Sequence, residues 1–505
     1  MTSVIVRSSD LQFVAVRGAI VIAAALIVSC SAPVIGTTPT GASPSMPPAA
    51  VTASPTPTTT VPPPGPVSAG AVPDAGILFF SDYGGTTVMP AAYRYDGASG
   101  TLTKVGQPGS ISGGVAHETA GGIYVQGPNG RWDLLRWDGS RASDQEFTAC
   151  QQEPGLFASW CSVSATGVGV GYGSHVGPGP GPFTGPWCPP AFIRLPGTAR
   201  STGFPPDLCV QWAMVSGDGT QVLIGDLARD ASPGVLVGDR CQPGYVTFDG
   251  TSCYRRRLWT MPVGDPPRQL RLSPDLPEFF AASISPDGRS ATGVQQSGYF
   301  LVDLQTGRTT VLGPVRQAAP RWSPTGGLAF VRGAAEESWI DRTVVIVAAD
   351  GSTRDVRGPQ RDGTNALPIG LAPAWDPAGR RLAWIASPAT PVARANDAAQ
   401  DYLAGNGAGD RRVLVSDLSS DPIEIRCGDG VAEGVRWSHD GTALLLLCRR
   451  PGARVDAFEL WLHPLGTPGA APAPIVRGIT WGGVDAHGFA PDLFTHTAWS
   501  RAVTR

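Results

Sequence analysis

The cysteines are the residues of this sequence whose chemistry is easiest to predict. One of the nine, Cys30, lies near the N-terminus, and the other eight lie between positions 150 and 448. An even number of cysteines in an exported chain favours disulfides. Pairing each cysteine with its neighbour along the chain closes four short loops, and we predict this pattern: Cys150 with Cys161, Cys188 with Cys209, Cys241 with Cys253, and Cys427 with Cys448. A zinc site is the alternative, but no C-x-x-C or H-x₃-H spacing supports it.

The sequence contains no recognisable catalytic motif. The segment Gly171-Tyr-Gly-Ser174-His175 comes nearest to the nucleophile elbow G-x-S-x-G, but its serine is misplaced and a Gly/Pro-rich stretch follows. A phosphate-binding loop, an H-E-x-x-H pair and an EF-hand string are missing as well. We therefore predict no catalytic residue, no metal ligand and no cofactor.

Aspartates before glycine recur in the sequence and allow two interpretations. Asp218-Gly219, Asp287-Gly288 and Asp440-Gly441 would suit calcium, which binds carboxylates on tight turns. Calcium, however, takes about 6–8 oxygen ligands. Aspartate also accepts hydrogen bonds from its own turn, and glycine adopts the required backbone angles. We favour the structural interpretation.

These turns belong to a repeat, and its clearest unit begins before Ser285-Pro-Asp-Gly288. Short apolar runs at 282–284, 291–295, 299–302 and 309–312 surround this turn and predict four strands in one unit. Tryptophans 322, 375 and 437 recur at one position of the later copies. Repetition in register predicts that they pack between units.

The repeat resembles the WD-like repeat of TolB-type β-propellers. The resemblance rests on Trp322-Ser-Pro-Thr-Gly326 and Trp375-Asp-Pro-Ala-Gly379 and on the Leu-Ala-Phe or Leu-Ala-Trp run that follows each. It is good over 281–450 and looser over 77–270. The proline of this turn is replaced by Gly217 in one copy and by His439 in another. The resemblance implies an all-β propeller of four-stranded blades.

Turn glycines allow the blades to be counted. Seven of them begin a unit within the chain: Gly121, Gly167, Gly219, Gly288, Gly326, Gly379 and Gly441. The strands from Ile77 onward lack a first strand, which we expect the C-terminal segment 484–489 to supply. Pairing the two ends of the chain would close a ring of eight blades. Seven blades is the alternative.

The N-terminus resembles that of a bacterial lipoprotein. Arg7 and Arg17 precede an apolar core, and Leu26-Ile-Val-Ser-Cys30 resembles a lipobox. The resemblance implies removal of residues 1–29, acylation of Cys30 and attachment to the outer face of the cell membrane. An ordinary signal peptide is the alternative. Residues 30–71 are rich in Pro, Thr and Ser, which predicts a disordered tether, and residues 72–505 are expected to form the propeller domain.

Insertions between the repeats are the candidate binding elements, because long loops on a rigid scaffold usually carry function. They span 173–190, 238–253 and 389–410. Their candidate binding residues are His175, Phe183, Trp187 and Tyr402.

A non-catalytic binding or scaffold module is the function that these observations favour. The partner would be a protein or a cell-envelope polymer. A net charge of −3 excludes nucleic acid on electrostatic grounds, and we expect a monomer. The alternative is a propeller enzyme, such as a hydrolase, lyase or quinone-dependent dehydrogenase, with its active site in the central channel. Such sites combine residues scattered over several blades.

Overall fold

The fold is known from a computed structural model. It describes residues 65–84, 91–105, 117–119, 121–126, 132–142, 149–153, 156–157, 160–172, 188, 190–198, 201–228, 236–237, 240–241, 245–246, 253–270, 280–295, 298–313, 320–332, 343–348, 351–356, 369–387, 411–451, 453, 457–466, 469–481 and 493–500. In these ranges the regular secondary structure is almost entirely β-strand, as the composition predicts.

Short strands follow one another along the chain. The first part contains β1 (Val67–Ser68), a 3₁₀ turn (Pro73–Ala75), β2 (Ile77–Asp82), β3 (Ala91–Asp96), β4 (Thr101–Lys104), β5 (His117–Thr119), β6 (Gly122–Gln126), β7 (Trp132–Arg136), β8 (Gln151–Glu153), β9 (Leu156–Phe157), β10 (Trp160–Val163), β11 (Gly169–Tyr172), β12 (Ala191–Arg194) and β13 (Thr202–Gly203). The middle part contains β14 (Val210–Val215), β15 (Gln221–Leu227), β16 (Leu236–Val237), β17 (Arg240–Cys241), β18 (Tyr245–Val246), β19 (Tyr254–Pro262), β20 (Arg268–Leu270), β21 (Phe280–Ile284), β22 (Ser290–Gln295), β23 (Gly298–Asp303) and β24 (Thr309–Gly313). The last part contains β25 (Arg321–Trp322), β26 (Leu328–Arg332), β27 (Thr343–Val347), β28 (Thr353–Val356), β29 (Ile369–Trp375), β30 (Leu382–Ser387), β31 (Arg412–Ser416), β32 (Ile423–Ile425), β33 (Val431–Trp437), β34 (Ala443–Arg449), β35 (Ala457–Pro464), β36 (Ala473–Thr480), the single-turn helix α1 (Leu493–His496) and β37 (Thr497–Ser500).

Most of these strands form four-stranded antiparallel sheets in chain order. They are β10–β13, β21–β24, β25–β28 and β29–β32, together with β14-β15-β19-β20, to which β18 adds at β19. The C-terminal sheet is β33–β36 with β1 added at its outer edge, and the N-terminal sheet has the order β37-β2-β3-β4. Strands β5–β7 form a three-stranded sheet, and two hairpins remain, β8–β9 and β16–β17. The predicted repeat of four-stranded units is confirmed.

Second strands are buried on both faces, which explains their continuous apolar sequences. All seven residues of β34 are buried, from Ala443 to Arg449. Its alternating leucines belong to different cores: Leu445 and Leu447 pack toward the N-terminal sheet, and Leu444 and Leu446 pack toward the β29–β32 sheet. A short, wholly apolar run is therefore the signature of a strand between two neighbouring sheets.

The Ser-Pro-Asp-Gly turn joins the first and second strands and is closed by its own hydrogen bonds. Ser285 Oγ donates to Asp287 Oδ1 over 2.7 Å and accepts from the Ser290 amide at 2.9 Å. The Gly288 amide donates to the Ser285 carbonyl at 3.0 Å. Ser216 and Ser438 make the same contact to Asp218 and Asp440, at 2.6 Å each. This geometry supports the structural interpretation of these aspartates.

Gly288 also packs against the preceding sheet, and this contact can be tested. Its φ is +67°, and a Cβ atom there would lie 2.5 Å from the Cβ of Gln221 on β15. Gly351 has a similar φ of +83° with open space around it. We expect Gly288→Ala to lower the free energy of unfolding by about 2–4 kcal/mol, from backbone strain and overpacking. Gly351→Ala should cost about 1–2 kcal/mol, from strain alone. If urea unfolding shows that both variants lose the same free energy of unfolding, the packing of Gly288 against Gln221 is contradicted.

The repeated tryptophans pack between sheets, as their register predicts. Each indole nitrogen donates to the first strand of the preceding sheet. Trp437 bonds the Ala374 carbonyl at 2.9 Å, and Trp375 bonds the Arg321 carbonyl at 3.2 Å. Trp322 bonds the hydroxyl of Ser283 at 2.9 Å.

The two ends of the described chain pair with each other, but the pairing strand is not the predicted one. Strand β37 pairs antiparallel with β2 from Ile77↔Ser500 to Phe80↔Thr497. It therefore occupies the position that β33 occupies in the C-terminal sheet. The predicted segment, 484–489, lies outside the described residues. Trp499-Ser500 repeats Trp437-Ser438, in which Trp437 is the last residue of β33. The sequence therefore did mark the end of the chain as the first strand of this sheet.

A partly buried carboxylate, that of Glu118 on β5, joins three neighbouring sheets. It accepts the Trp499 amide of β37 at 2.6 Å, the His439 ring nitrogen at 2.9 Å and the Arg436 guanidinium. His439 occupies the repeat position that Pro286 occupies in the Ser285-Pro-Asp-Gly288 turn. Its contact with Glu118 gives this departure from the repeat a structural reason. Burial alone would raise the pKa of Glu118, but Arg436, His439 and the Trp499 amide hold it below its ordinary value of 4.5.

The pH dependence of stability should report this carboxylate. Because its pKa is lower in the folded state, its contribution is fully present above the unfolded pKa and is lost as the pH falls through the folded pKa. We expect the difference in unfolding free energy between the natural chain and Glu118→Gln to be present at pH values where Glu118 is ionised in both the folded and the unfolded chain. It should shrink below about pH 4.5. A difference that does not change down to pH 3 would contradict this ionisation.

Candidate functional site

The two ends of each sheet differ in which strands they connect. At the turn end, the first strand turns directly into the second, and neighbouring turns contact each other. The Asp218 amide donates to the Pro286 carbonyl at 3.0 Å, and Arg381 Nη2 donates to the Gly441 carbonyl at 2.5 Å. At the opposite end, called here the loop end, the second strand connects to the third.

All three predicted insertions belong to the loop end. Residues 173–190 connect β11 to β12, 228–253 connect β15 to β19, and 388–411 connect β30 to β31. In each sheet this is the connection from the second strand to the third. The insertions therefore begin and end on the side away from the compact turns, which makes the loop end the candidate binding surface.

A buried aspartate fixes the base of the first two insertions. Asp226, near the end of β15, accepts the Cys209 amide at 2.6 Å, Arg257 Nε at 2.7 Å and Trp259 Nε1 at 2.9 Å. Cys209 is bonded to Cys188, which lies near the end of the first insertion. Burial raises the pKa of Asp226, although Arg257 and the hydrogen bonds act in the opposite direction. The Asp226 carboxylate therefore links β15 and β19 to Cys209, in the segment before β14.

A buried glutamate fixes the base of the third insertion. Glu433 on β33 accepts Arg411 Nη1 at 2.8 Å through one oxygen and Arg449 Nε at 3.1 Å through the other. Its side chain is fully buried. The Arg411 carbonyl also accepts the Ala432 amide at 3.2 Å. Arg411 follows the insertion directly, so these contacts hold its C-terminal end against the neighbouring sheet.

Four disulfides occur in the structure, and their partners are those expected from sequential pairing. They are Cys150–Cys161, Cys188–Cys209, Cys241–Cys253 and Cys427–Cys448. Cys427–Cys448 connects the segment after β32 to β34 in the next sheet. Cys241–Cys253 lies within one insertion. The first kind of bond limits movement between sheets, and the second stiffens a loop.

Removing the Cys427–Cys448 bond should destabilise the fold. The bond spans 21 residues, and closing a loop of this length stabilises a protein by about 3 kcal/mol. We expect the double variant Cys427→Ala, Cys448→Ala to lose about this free energy of unfolding. Guanidinium denaturation under oxidising conditions measures the loss. An unchanged midpoint would contradict a structural role for the bond.

The candidate residues chosen from sequence are not placed by the structure. His175, Phe183, Trp187 and Tyr402 lie outside the described residues, as does Cys30. The structure instead reveals the anchoring groups Asp226 and Glu433, which sequence reasoning missed. Neither stands in a motif, and each meets partners 16 or more residues away in the chain.

A serine–histidine contact occurs near the loop end of the N-terminal sheet, but its surroundings are those of a packed contact. Ser81 Oγ lies 3.0 Å from His496 Nδ1. Ser81 is 3% exposed, and its carbonyl accepts the indole N–H of Trp481. The His496 ring stacks on Trp481 with centroids 4.9 Å apart. A nucleophile must reach its substrate, whereas this hydroxyl is covered.

Two further observations concern the described part of the chain. No helix there is long and apolar enough to cross a membrane. No group of three or more His, Cys, Asp or Glu side chains comes together there as metal ligands would.

Comparison with known proteins gives a similarity of fold at low identity. The sequence matches no protein-family model and no curated protein. TolB from Acinetobacter baumannii is 15% identical, with 55% of this chain and 63% of that chain covered and a TM-score of 0.31. The β-propeller domain of the Trilobed protease from Pyrococcus furiosus is 8% identical, with 65% and 85% covered and a TM-score of 0.32. Acylaminoacyl peptidase from Pyrococcus horikoshii is 9% identical, with 73% and 46% covered and a TM-score of 0.31. The four-stranded sheets themselves define the fold.

Proposed function

We propose that the protein is a lipid-anchored, extracytoplasmic β-propeller that binds a protein or an envelope polymer through its loop end, without catalysis. The observation that carries the proposal is the difference between the two ends of the sheets. Short turns fill the turn end, whereas the three long insertions start from the loop end on bases fixed by Asp226, Glu433 and disulfides. Rigid bases present loops with little loss of entropy on binding.

The ring itself is part of this proposal. Five sheets of four strands, two sheets of five and the three-stranded β5–β7 sheet make eight units in chain order. The β2–β37 pairing and the contacts of Glu118 connect the last unit to the first two. Both features support a closed propeller of eight blades.

Acylation of Cys30 would supply the membrane anchor. Residues 30–64, rich in Pro, Thr and Ser, would then separate the folded unit from the bilayer. With the loops free to meet a partner, this arrangement suits a scaffold in the cell envelope.

Replacing part of one insertion tests the binding surface. In the test variant, residues 392–408 become a Gly/Ser linker of equal length, which leaves Arg411 and Glu433 in place. The control variant changes Gln305 and Thr306, an exposed pair at the turn end, to glycine. After cross-linking in intact cells, we expect the natural chain and the control to capture the same partner and the test variant to lose it. Capture that survives in the test variant would remove this insertion from the site.

A further inference from the structure

Strand β37 is a short edge strand of the N-terminal sheet. Four residue pairs join it to β2, whereas β33, at the same position of the C-terminal sheet, makes six pairs with β34. Other contacts must therefore contribute to holding β37 in place. The described contacts come from two directions.

The first set of contacts comes from β33 and β5, which belong to the two neighbouring sheets. Arg436 Nη1 donates to the Thr497 carbonyl at 2.5 Å, and Glu118 accepts the Trp499 amide at 2.6 Å. The same Arg436 pairs with Glu118. The two side chains, Arg436 and Glu118, therefore hold the backbone of β37 from one side.

The second set comes from residues 65–76, called here the strap, which runs over the junction of the C-terminal and N-terminal sheets. Composition placed residues 65–71 in the tether, but Val67 and Ser68 pair with β36, and the Ala69 amide donates to the Ile475 carbonyl at 3.1 Å. Farther along, the Val72 amide donates to the Gly97 carbonyl at 2.9 Å. The strap ends on β37 itself, where Trp499 Nε1 donates to the Ala75 carbonyl at 2.6 Å.

The seat of the strap depends on two glycines in the β3–β4 turn. A Cβ atom at Gly97 would lie 2.6 Å from the Val72 carbonyl oxygen and 2.9 Å from the Gly76 backbone. A Cβ atom at Gly100 would lie 2.4 Å from the Ala71 nitrogen. The atoms in the way belong to the backbone, so a side chain at either position displaces the strap.

We propose that the strap is a releasable lock on the C-terminal strand: docking on Gly97 and Gly100 keeps β37 in its sheet, and undocking frees it. The strap is also the first described segment after the part of the chain that leads from Cys30. A pull or a bound partner on that chain reaches the strap before any other element. The lock thus links the N-terminal segment to the junction between the first and last sheets, and it holds whether or not the loop end binds a partner.

Hydrogen exchange of the full chain tests the lock with Gly97→Ala. Gly97 has no positive φ, so its variant acts through the steric contact. Loss of protection at the Ala69 and Val72 amides reports undocking of the strap. We expect the amides of residues 497–500 to lose protection in the same variant by about 10–100-fold, while β26 and β27 keep theirs. The control is Gly203→Ala on β13, which has open space and no positive φ and should change neither segment.

A second variant reaches the same result without a steric clash. Ser68 Oγ donates to the Gly100 carbonyl at 2.7 Å, and Tyr95 Oη donates to the Gly70 carbonyl at 2.6 Å. Ser68→Ala with Tyr95→Phe removes both bonds and should free the strap and β37 together, to a smaller extent. An undocked strap with a fully protected β37 would overturn the proposal, and so would a strap that stays protected in Gly97→Ala. Equal deprotection of β26 and β27 would show general destabilisation and would also count against the lock.

Discussion

Replacing Glu433 by alanine is expected to lower the free energy of unfolding by about 3–5 kcal/mol, the cost of removing one partner from a buried ion pair. The glutamate lies between Arg411 and Arg449, and its side chain has no exposed surface. Without it, two guanidinium groups stay buried beside one another with their shared counterion gone. Urea unfolding followed by tryptophan fluorescence measures the loss.

Glu424→Ala provides a matched control for this variant. Glu424 also lies between two arginines, Arg412 at 2.8 Å and Arg426 at 2.7 Å, but its side chain is 31% exposed. Water can replace the contact that Arg426 loses, but the Arg412 side chain is only 7% exposed, so we expect a cost of about 1–2 kcal/mol, below that of Glu433→Ala. If both variants lose the same stability, burial is not what makes the Glu433 cluster important.

The Glu433 variant should also reveal the role of the cluster at the loop end. Arg411 is the first described residue after the third insertion, and Glu433 fixes it to the next sheet. At a temperature where Glu433→Ala is still folded, we expect faster exchange of residues 411–416 and weaker capture of the partner. Unchanged exchange there would show that the insertion is held by other contacts.

Replacing Cys30 by alanine is expected to move the protein completely from the membrane fraction to the soluble fraction. Each acyl CH₂ group that enters the bilayer contributes roughly 0.8 kcal/mol, so two or more chains hold a protein stably. Alanine carries no thiol, so no acyl chain can be attached at position 30. Fractionation of cells with palmitate labelling measures both location and modification.

Ser29→Ala is the control for the Cys30 variant. It changes a neighbour but keeps a small residue before the cysteine, so labelling and membrane attachment should persist. A Cys30→Ala protein that stays in the membrane fraction without palmitate label would refute the lipid anchor. The folded unit would then need another explanation for its attachment.

Features encoded by neighbouring residues were predictable from the sequence. The turn around Ser285 and Gly288 closes through hydrogen bonds spanning up to five residues, so its sequence marks it directly. The apolar runs on both sides predicted β21–β24 within two residues at each end. The tryptophans revealed the packing between sheets because they recur in register.

Features that depend on distant parts of the chain were not predictable in the same way. The partners of Glu118 lie more than 300 residues away, and a single glutamate in a short strand carries no sign of them. The first strand of the N-terminal sheet was assigned to 484–489 because an Ala-Pro-Asp segment follows it. Trp499-Ser500, nearer the end of the chain, matches Trp437-Ser438 and was the better indication of the strand that pairs with β2. Composition likewise assigned residues 65–71 to the tether, since two strand residues cannot be recognised without their partner β36.

A photoreactive amino acid at the two ends of one strand tests the central claim most directly. Thr442 and Pro451 are both exposed and flank β34, Thr442 at the turn end and Pro451 at the loop end. We would replace each in turn by p-benzoylphenylalanine in the otherwise natural chain and irradiate intact cells. We expect a partner adduct from position 451 and none from position 442. An adduct from 442 with none from 451 would contradict a binding surface at the loop end.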